Sequence, residues 1–390
     1  MSKLRILPVF AGLATLAALA TFTGCRRHDF PDFPANYREF AYVTNGASDT
    51  VSILDIVHVR VDREIHVGQH PIAVAPSPAR NEVYVLNQGT AQGSGTVSVL
   101  NAEQNAVVAT IAVRRSPTSI EIDKDGDLAY VANTGSNSVS IVDLKNRSEV
   151  GVIGVGEAPY ALRLSPDGKS LVVANRGAGS VSIIDPRSRQ LRKVISGCPG
   201  AADIAILPDS SKAFAACSAG HQVMAILLAR SADSGALARE DALEAMLQVG
   251  QAPVHLALKP DGGELFVSNS LSDSISEVIT GTDDVIGAYL MGPDPVRGLV
   301  SADNSLVYEC NFRSQEVAVY AIDDGKRALS IHVGDGPAAL AFSAEGHLLL
   351  AVDGRSGDVA IVRTSTRSLV TLLPSGREPN AITIKSFKVS

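Results

Sequence analysis

Residues 156–185 read GEAPYALRLSPDGKSLVVANRGAGSVSIID, and this stretch decides the fold. Pro159 opens a segment in which Leu162 and Leu164 alternate with Ala161 and Arg163. SPDG then supplies a tight turn. LVVAN, ending in Asn175, is a second alternating segment, VSIID, opened by Val181, a third, and LRKVI a fourth. Short runs rich in Val and Ile, split by Gly, Asp, Asn and Pro, read as antiparallel strands joined by turns. The unit is a four-stranded meander.

The unit recurs. Pro159 to Asn175 is 16 residues, Asn175 to Val181 is 6, and Val181 to the next anchor is 20, a period of 42. The spacing returns at Pro117, Asn133 and Val139; at Pro253, Asn269 and Ile275; at Pro295, Asn311 and Val317; and at Pro337, Asp353 and Val359. Pro71, Asn87 and Val97 fit with four extra residues, and Cys217 and Val223 fit when their anchor is Ala201 rather than Pro199. A fixed period in the forties means stacked supersecondary units. One four-stranded sheet cannot bury both of its faces, whereas radial packing around an axis does so and leaves only short edges. The fold class is all-β, a β-propeller with one unit per blade.

The N-terminal part carries Asn45 and Val51, hence the second to fourth strands of a blade, but DFPDFPANY before them shows no alternation and contains prolines that a central strand rejects. The missing strand is at the other end, where Pro379 heads PNAITIKSF with Ile382 and Ile384 in register. One blade is shared by the two ends of the chain. Anchors at 71, 117, 159, 201, 253, 295, 337 and 379 predict eight blades, with seven the alternative if one unit is misread. Two insertions interrupt the period. One is Gln88 to Gly95; the other lies within residues 228–245, where GALAREDALEAML predicts a short helix with Leu237, Ala238 and Leu243 facing inward.

Residues 1–24 read as a signal peptide, with Lys3 and Arg5 before an apolar run from Ile6 to Phe22. The run ends FTGC, which resembles the lipobox of bacterial lipoproteins. That resemblance implies lipidation of Cys25 and, with Arg26 next, an outer-membrane destination, on its periplasmic or surface side. The alternative is ordinary cleavage, leaving a soluble periplasmic protein. Residues 25–39 then form the lipidated cysteine and a Pro-rich tether, and 40–390 the propeller. No second apolar run is long enough to span a bilayer, so the membrane is met through the lipid alone. The charge of −7 becomes more negative without Lys3 and Arg5, and no basic patch is present, which excludes nucleic acid as a partner. A monomer is expected.

YVTN at 42–45, YVAN at 130–133 and VVAN at 172–175, each close to a VSI-x-D segment, resemble the repeats of the YVTN-repeat β-propellers. That family consists of exported or surface-associated bacterial and archaeal proteins. The resemblance covers nearly all of the chain beyond the leader and implies a fold and a compartment rather than a chemistry. Many members have seven blades, so eight is a departure. Haem d1-binding propellers are eight-bladed and lactonase-like propellers seven-bladed members of the same broad superfamily.

Rows repeated in most blades read as scaffold. The asparagines (Asn45, Asn87, Asn133, Asn175, Asn269, Asn311) end strands, and the aspartates (Asp55, Asp143, Asp185) start turns. Departures from the repeat carry more information. Two residues past each anchor stand Ala73, Ser119, Ala161, Asp203, His255, Arg297, Ala339 and Ala381. Asp203, His255 and Arg297 fall in consecutive blades on strands that line the channel. They form either a structural ion network or an anion- or carboxylate-binding pocket, which Tyr160, His70 and Asn380 could complete. Cys198 takes a position held by Gly in other units and Cys217 an Asn position, so the two either bond or remain thiols. No GxSxG or HExxH motif is present, no metal site is expected and no cofactor is called for. The expected function is a non-enzymatic, envelope-anchored binding scaffold with its ligand, a small molecule or a protein, at the top-face channel mouth. The alternative is a lactonase-like hydrolase or tetrapyrrole binder using Asp203, His255 and Arg297.

Overall fold

Each period becomes one sheet. The computed structural model describes residues 31–229 and 239–389, and the chain from residue 33 onward is one compact unit. Eight four-stranded antiparallel sheets are present. We number the blades in chain order. Blade 1 is the shared one. Blades 2 to 8 open with the strands Pro71–Pro76, Pro117–Ile122, Pro159–Leu164, Ala201–Ile206, Pro253–Leu258, Pro295–Val300 and Pro337–Phe342. First strands of neighbouring blades adjoin all the way round and line the axis. In blade 1 that strand is Pro379–Lys388, paired antiparallel with Tyr37–Asn45, so the C-terminus closes the ring. The pairing starts at Tyr37↔Lys388, three residues earlier than the sequence boundary at residue 40.

The period-2 pattern explains why the sheets stack radially. In blade 4, Leu171 and Val173 pack with Val139 and Ile141 of blade 3, whereas Val172 and Ala174 pack with Ile204 and Ala215 of blade 5. Alternate residues of one strand thus serve two neighbours, and neither face of a sheet is left to water.

Two further repeats hold the top face. The residue before every anchor is left-handed, with φ between 47° and 70° at His70, Ser116, Ala158, Gly200, Ala252, Asp294, Gly336 and Glu378. Left-handed backbone costs a non-glycine residue about 1–2 kcal/mol. In return, its carbonyl accepts a hydrogen bond from the N–H just after the strand-ending Asn position. His70 O with Gln88, Ala158 O with Arg176 and Asp294 O with Phe312 are examples. The asparagines are buried, and Asn45, Asn87, Asn133, Asn175 and Asn269 each donate from Nδ2 to a serine further along the chain, at 2.8–3.0 Å. Except in blades 3 and 5, which carry Arg114 and Cys198, a glycine three residues before the anchor packs against the side chain at this position. A Cβ at Gly68, Gly156 or Gly250 would lie 2.6–2.7 Å from the Asn side chain.

Blade 8 carries Asp353, and blade 5 Cys217, where the other six carry Asn. The Asp353 side chain accepts from Gly334 N–H at 3.0 Å and faces Asp358. Burial, then Asp358, pushes the Asp353 carboxyl up to about 8. A folded-state value raised above the unfolded one gives stability that is full below about pH 4 and is lost as pH rises to about 8. Asp353→Asn removes this loss and lets Nδ2 donate to Asp358. The substitution is expected to raise stability by roughly 3 kcal/mol more at pH 8 than at pH 5. Denaturant midpoints at the two pH values check this; an equal shift at both contradicts it.

The helix expected over GALAREDALEAML is not formed where it can be seen. Ala242–Gln248 is the outer strand of blade 5, paired Leu227↔Ala242 and Val223↔Leu247. The strand Gln222–Leu227 leaves a row of backbone groups to be satisfied, and pairing them outweighs the local helical preference of a Leu–Glu–Ala segment. Leu247 is buried and Leu243 exposed. Leu237 and Ala238 lie outside the described residues, as do the leader and Cys25. No helix among the described residues is long and apolar enough to cross a membrane.

Candidate functional site at the channel mouth

The first strand of each blade ends its sheet, so backbone groups facing the axis lack a ladder partner. Three blades cap such a group from the position two residues past the anchor. Ser119 Oγ accepts from Leu162 N–H at 3.4 Å, Asp203 Oδ2 from Leu256 N–H at 3.1 Å, and His255 Nδ1 from Gly298 N–H at 3.2 Å. Each donor lies in the next blade, three residues past its anchor. Asp203 and His255 therefore have a structural task as well as a place in the channel.

The expected cluster of three is assembled, with a different pairing. Asp203 does not pair with Arg297. Its carboxylate lies 3.8 Å from Arg163 Nη2 and 3.7 Å from His255 Nε2. Arg163 also approaches Glu121, Nη1 to Oε2, at 3.8 Å. Glu121, Arg163, Asp203 and His255 thus form a diagonal chain across four consecutive blades. Burial works against the Arg163 charge, yet Asp203 and Glu121 together hold its guanidinium above the usual value. Burial raises the Glu121 carboxyl, opposed by Arg163. For His255, burial and then Arg297 push the imidazole down to about 3, against the pull of Asp203. His255 is neutral at physiological pH. Because Nδ1 accepts from Gly298, the proton sits on Nε2, toward Asp203.

Arg297 is the unpaired member. Its Nε is buried without a hydrogen-bond partner, and its guanidinium makes no ion pair among the described residues. It lines a cavity of about 610 Å³ at the top of the channel together with Tyr160, Arg163, Asp203, His255 and Asn380. Phe312 lines it as well. Tyr160 and Phe312 are each covered by an arginine, Arg176 at 4.7 Å and Arg355 at 4.6 Å from the ring centroids. The mouth therefore combines two guanidinium groups, one carboxylate, a neutral imidazole and two aromatic rings. A second cavity, of about 690 Å³, opens on the opposite face and is lined by charged groups that include Glu121, Asp123, Lys124, Asp125, Asp167 and Arg187.

The remaining candidates divide. Asn380 lines the cavity, but Nδ2 donates to Pro71 O and Oδ1 accepts from Thr44, so its amide is engaged in joining blades 1 and 2. His70 does not line it. It holds one of the eight left-handed positions, with Nδ1 against Gly46 O. Cys198 and Cys217 are joined in a buried disulfide that takes the place of the Gly–Asn contact in blade 5. Cys310 is a buried thiol.

Arg163 and Phe312 were not singled out by sequence. The signal for Arg163 was there: four residues past the anchor the repeat reads Ala75, Glu121, Arg163, Ala205, Ala257, Leu299, Ala341 and Thr383. Phe312 follows the Asn position, where the repeat is too variable to mark it.

A ring of eight four-stranded blades with a polar channel mouth defines the class. Residues 124–227 match the family model described as YNCE-like beta-propeller. No curated protein matches the chain. Among solved structures, the dihydro-heme d1 dehydrogenase NirN, in complex with DHE, superposes with a TM-score of 0.72 at 18% identity over 91% of this chain and 76% of that one. AztD from Citrobacter koseri gives 0.66 at 12% identity over 90% and 98%. A putative 6-phosphogluconolactonase from Bacteroides fragilis gives 0.61 at 15% identity over 91% and 100%. At such identities the likeness is one of fold. The chain is an eight-bladed β-propeller, similar in fold to these structures.

Proposed function

We propose that the protein is a non-enzymatic binding propeller, exported and lipid-anchored at the cell envelope through Cys25, whose channel mouth takes a small ligand bearing a carboxylate. The observation that carries the binding reading is Arg297, a guanidinium with no protein anion paired to it among the described residues, opening into a cavity of ligand size. Unpaired buried donors are costly unless a partner arrives, and a guanidinium fits a carboxylate through two parallel bonds. Arg163 adds positive charge, and Tyr160 and Phe312 offer ring faces to an organic body.

His255 argues for binding rather than turnover. A general base needs a free lone pair within reach of a proton. The lone pair on Nδ1 is occupied by Gly298 N–H, and the other nitrogen carries its hydrogen toward Asp203. A tetrapyrrole would need the same nitrogen as an axial ligand, although a haem d1-type relative makes that ligand class the natural second candidate. Calorimetry with acetate, succinate, glutarate and inorganic phosphate tests the main reading. At least one carboxylate is expected to bind, and Arg297→Gln to weaken it roughly tenfold or more, the size of one lost charge-assisted contact. Lactone hydrolysis abolished by His255→Ala would establish the enzymatic alternative instead. The anchor is tested separately, since Cys25→Ser should move the protein from the membrane to the soluble fraction.

A further inference from the structure

The inner strands carry a second regularity, this time in their backbone. In blades 4, 6 and 7 the N–H three residues past the anchor leaves its own sheet and meets a side chain of the preceding blade. Leu162 donates to Ser119, Leu256 to Asp203 and Gly298 to His255, at 3.1–3.4 Å. The register sets this direction. Antiparallel pairs alternate between those that exchange backbone bonds and those whose groups point outward. Leu162↔Val173, Leu256↔Val267 and Gly298↔Glu309 are of the second kind, and Leu340↔Ala351 of blade 8 holds the same place in the ladder. The N–H of Leu340 therefore faces the axis too.

An acceptor for Leu340 would have to come from position 297, which holds an arginine. A guanidinium has donors only. Blades 8, 1 and 2 carry Ala339, Ala381 and Ala73 at that position, which leaves Ile382, Val74 and Ile120 uncapped in the same way. The shape of the mouth follows this division. Leu340, Ile382, Val74 and Ile120 all line its cavity, whereas the capped Leu162, Leu256 and Gly298 do not. Ile204, behind Ala161, is the one uncapped member outside it. Of the four donors on the cavity wall, only that of Leu340 has a charged residue at the position of the preceding blade that caps its counterparts.

The chain already holds one carboxylate on such a pair of donors. Asp203 accepts from Leu256 N–H at 3.1 Å, with the Arg163 guanidinium 3.8 Å away. Two blades further round, both kinds of donor recur as Leu340 N–H and Arg297, and no carboxylate of the chain pairs with Arg297 among the described residues. A backbone N–H turned away from its ladder needs an acceptor from elsewhere. We infer, resting on the binding reading above, that the backbone N–H of Leu340 is the second holding point of the channel-mouth ligand. One oxygen of the ligand carboxylate accepts from Leu340 while the other pairs with Arg297, so the ligand supplies at the seam of blades 7 and 8 what Asp203 supplies at the seam of blades 5 and 6.

The test is residue-resolved amide hydrogen exchange by NMR, with and without saturating succinate, beside calorimetry of two variants. Succinate is expected to slow exchange at Leu340 about tenfold or more, the size of one hydrogen bond to a charged group, and to leave Ile382 and Val74 unchanged. Leu340→Pro removes the donor on a strand edge, where proline is tolerated, and should weaken succinate by a similar factor. Arg297→Asp restores the acceptor. It should abolish binding and slow exchange at Leu340 with no ligand present, as Asp203 does for Leu256. Succinate that binds while exchange at Leu340 is unchanged, or a Leu340 amide still bare in Arg297→Asp, overturns the inference and leaves the binding reading intact. If Leu340→Pro does not fold, exchange at Leu340 in the parent still decides. Succinate, glutarate and phosphate that all fail to bind remove the binding reading and this inference together.

Discussion

Deletion of residues 379–390 is expected to abolish folding of the whole chain, not of one blade. The strand Pro379–Lys388 is the innermost strand of blade 1 and pairs along the length of Tyr37–Asn45. Its loss would bare the edge that carries Ala41, Tyr42 and Val43, all fully buried in the intact ring. Phe387 would no longer pack on Phe40, and Lys385 Nζ would no longer donate to Ser77 O at 2.7 Å. The seam to blade 2 would also lose the bond from Asn380 to Pro71 O. Each blade buries its faces against two neighbours, so an open ring exposes apolar faces and new strand edges at one place. A domain has only about 5–15 kcal/mol of net stability to lose, and a strand with these contacts exceeds that. Soluble yield and near-ultraviolet circular dichroism report the outcome. Addition of a peptide spanning 375–390 should restore signal. A truncated protein that melts where the parent does would contradict the shared blade.

The second large effect concerns blade 5. Cys217→Ser is expected to cost about 3 kcal/mol, the entropy of a loop of this size released in the unfolded chain. A buried hydroxyl replaces a sulfur there, and the place of the serine that receives the Asn bond in other blades is taken by Met224. The double substitution Cys198→Gly and Cys217→Asn recreates the pair found in five other blades. The amide introduced at position 217 could then donate to the carbonyl of Gly197, as Asn311 does to Met291 O at 3.0 Å where its own serine is replaced by Ala318. The double variant should therefore be more stable than either single serine variant and less stable than the parent. Urea midpoints would order the four proteins. Equal midpoints for the parent and Cys217→Ser would show that the bond contributes nothing.

The fold was legible because one period repeats and its landmarks are backbone requirements. Pro159 starts a strand that needs no donor at that point, Asn175 and Gly156 occupy one tight contact, and alternation from Leu171 to Ala174 divides between two neighbours. The closing strand was legible for the same reason: Ile382 and Ile384 kept register with Leu162 and Leu164 across the chain ends. The outer strand of blade 5 was not, since an apolar residue every few positions in ALEAMLQ satisfies a helix and a strand equally, and only the vacant edge of Gln222–Leu227 decides.

The site was legible in part. Asp203, His255 and Arg297 showed as breaks at one repeat position, and they do share the mouth. His70 misled because the position before the anchor selects a backbone conformation rather than a side chain, so its histidine says nothing about the channel. Arg163 was visible as a break at another position. Its meaning depends on reach, since Arg163 extends to Asp203 in the next blade. A repeat alignment marks such positions without saying how far a long side chain travels.

The proposed function places a ligand carboxylate on Arg297 at the channel mouth. A crystal structure of the protein grown in succinate tests it most directly. A carboxylate paired with the Arg297 guanidinium is expected, its body between Tyr160 and Phe312, and no such occupancy in Arg297→Gln. A mouth closed by Arg297 turned onto a protein carboxylate, with succinate bound elsewhere or nowhere, would contradict it.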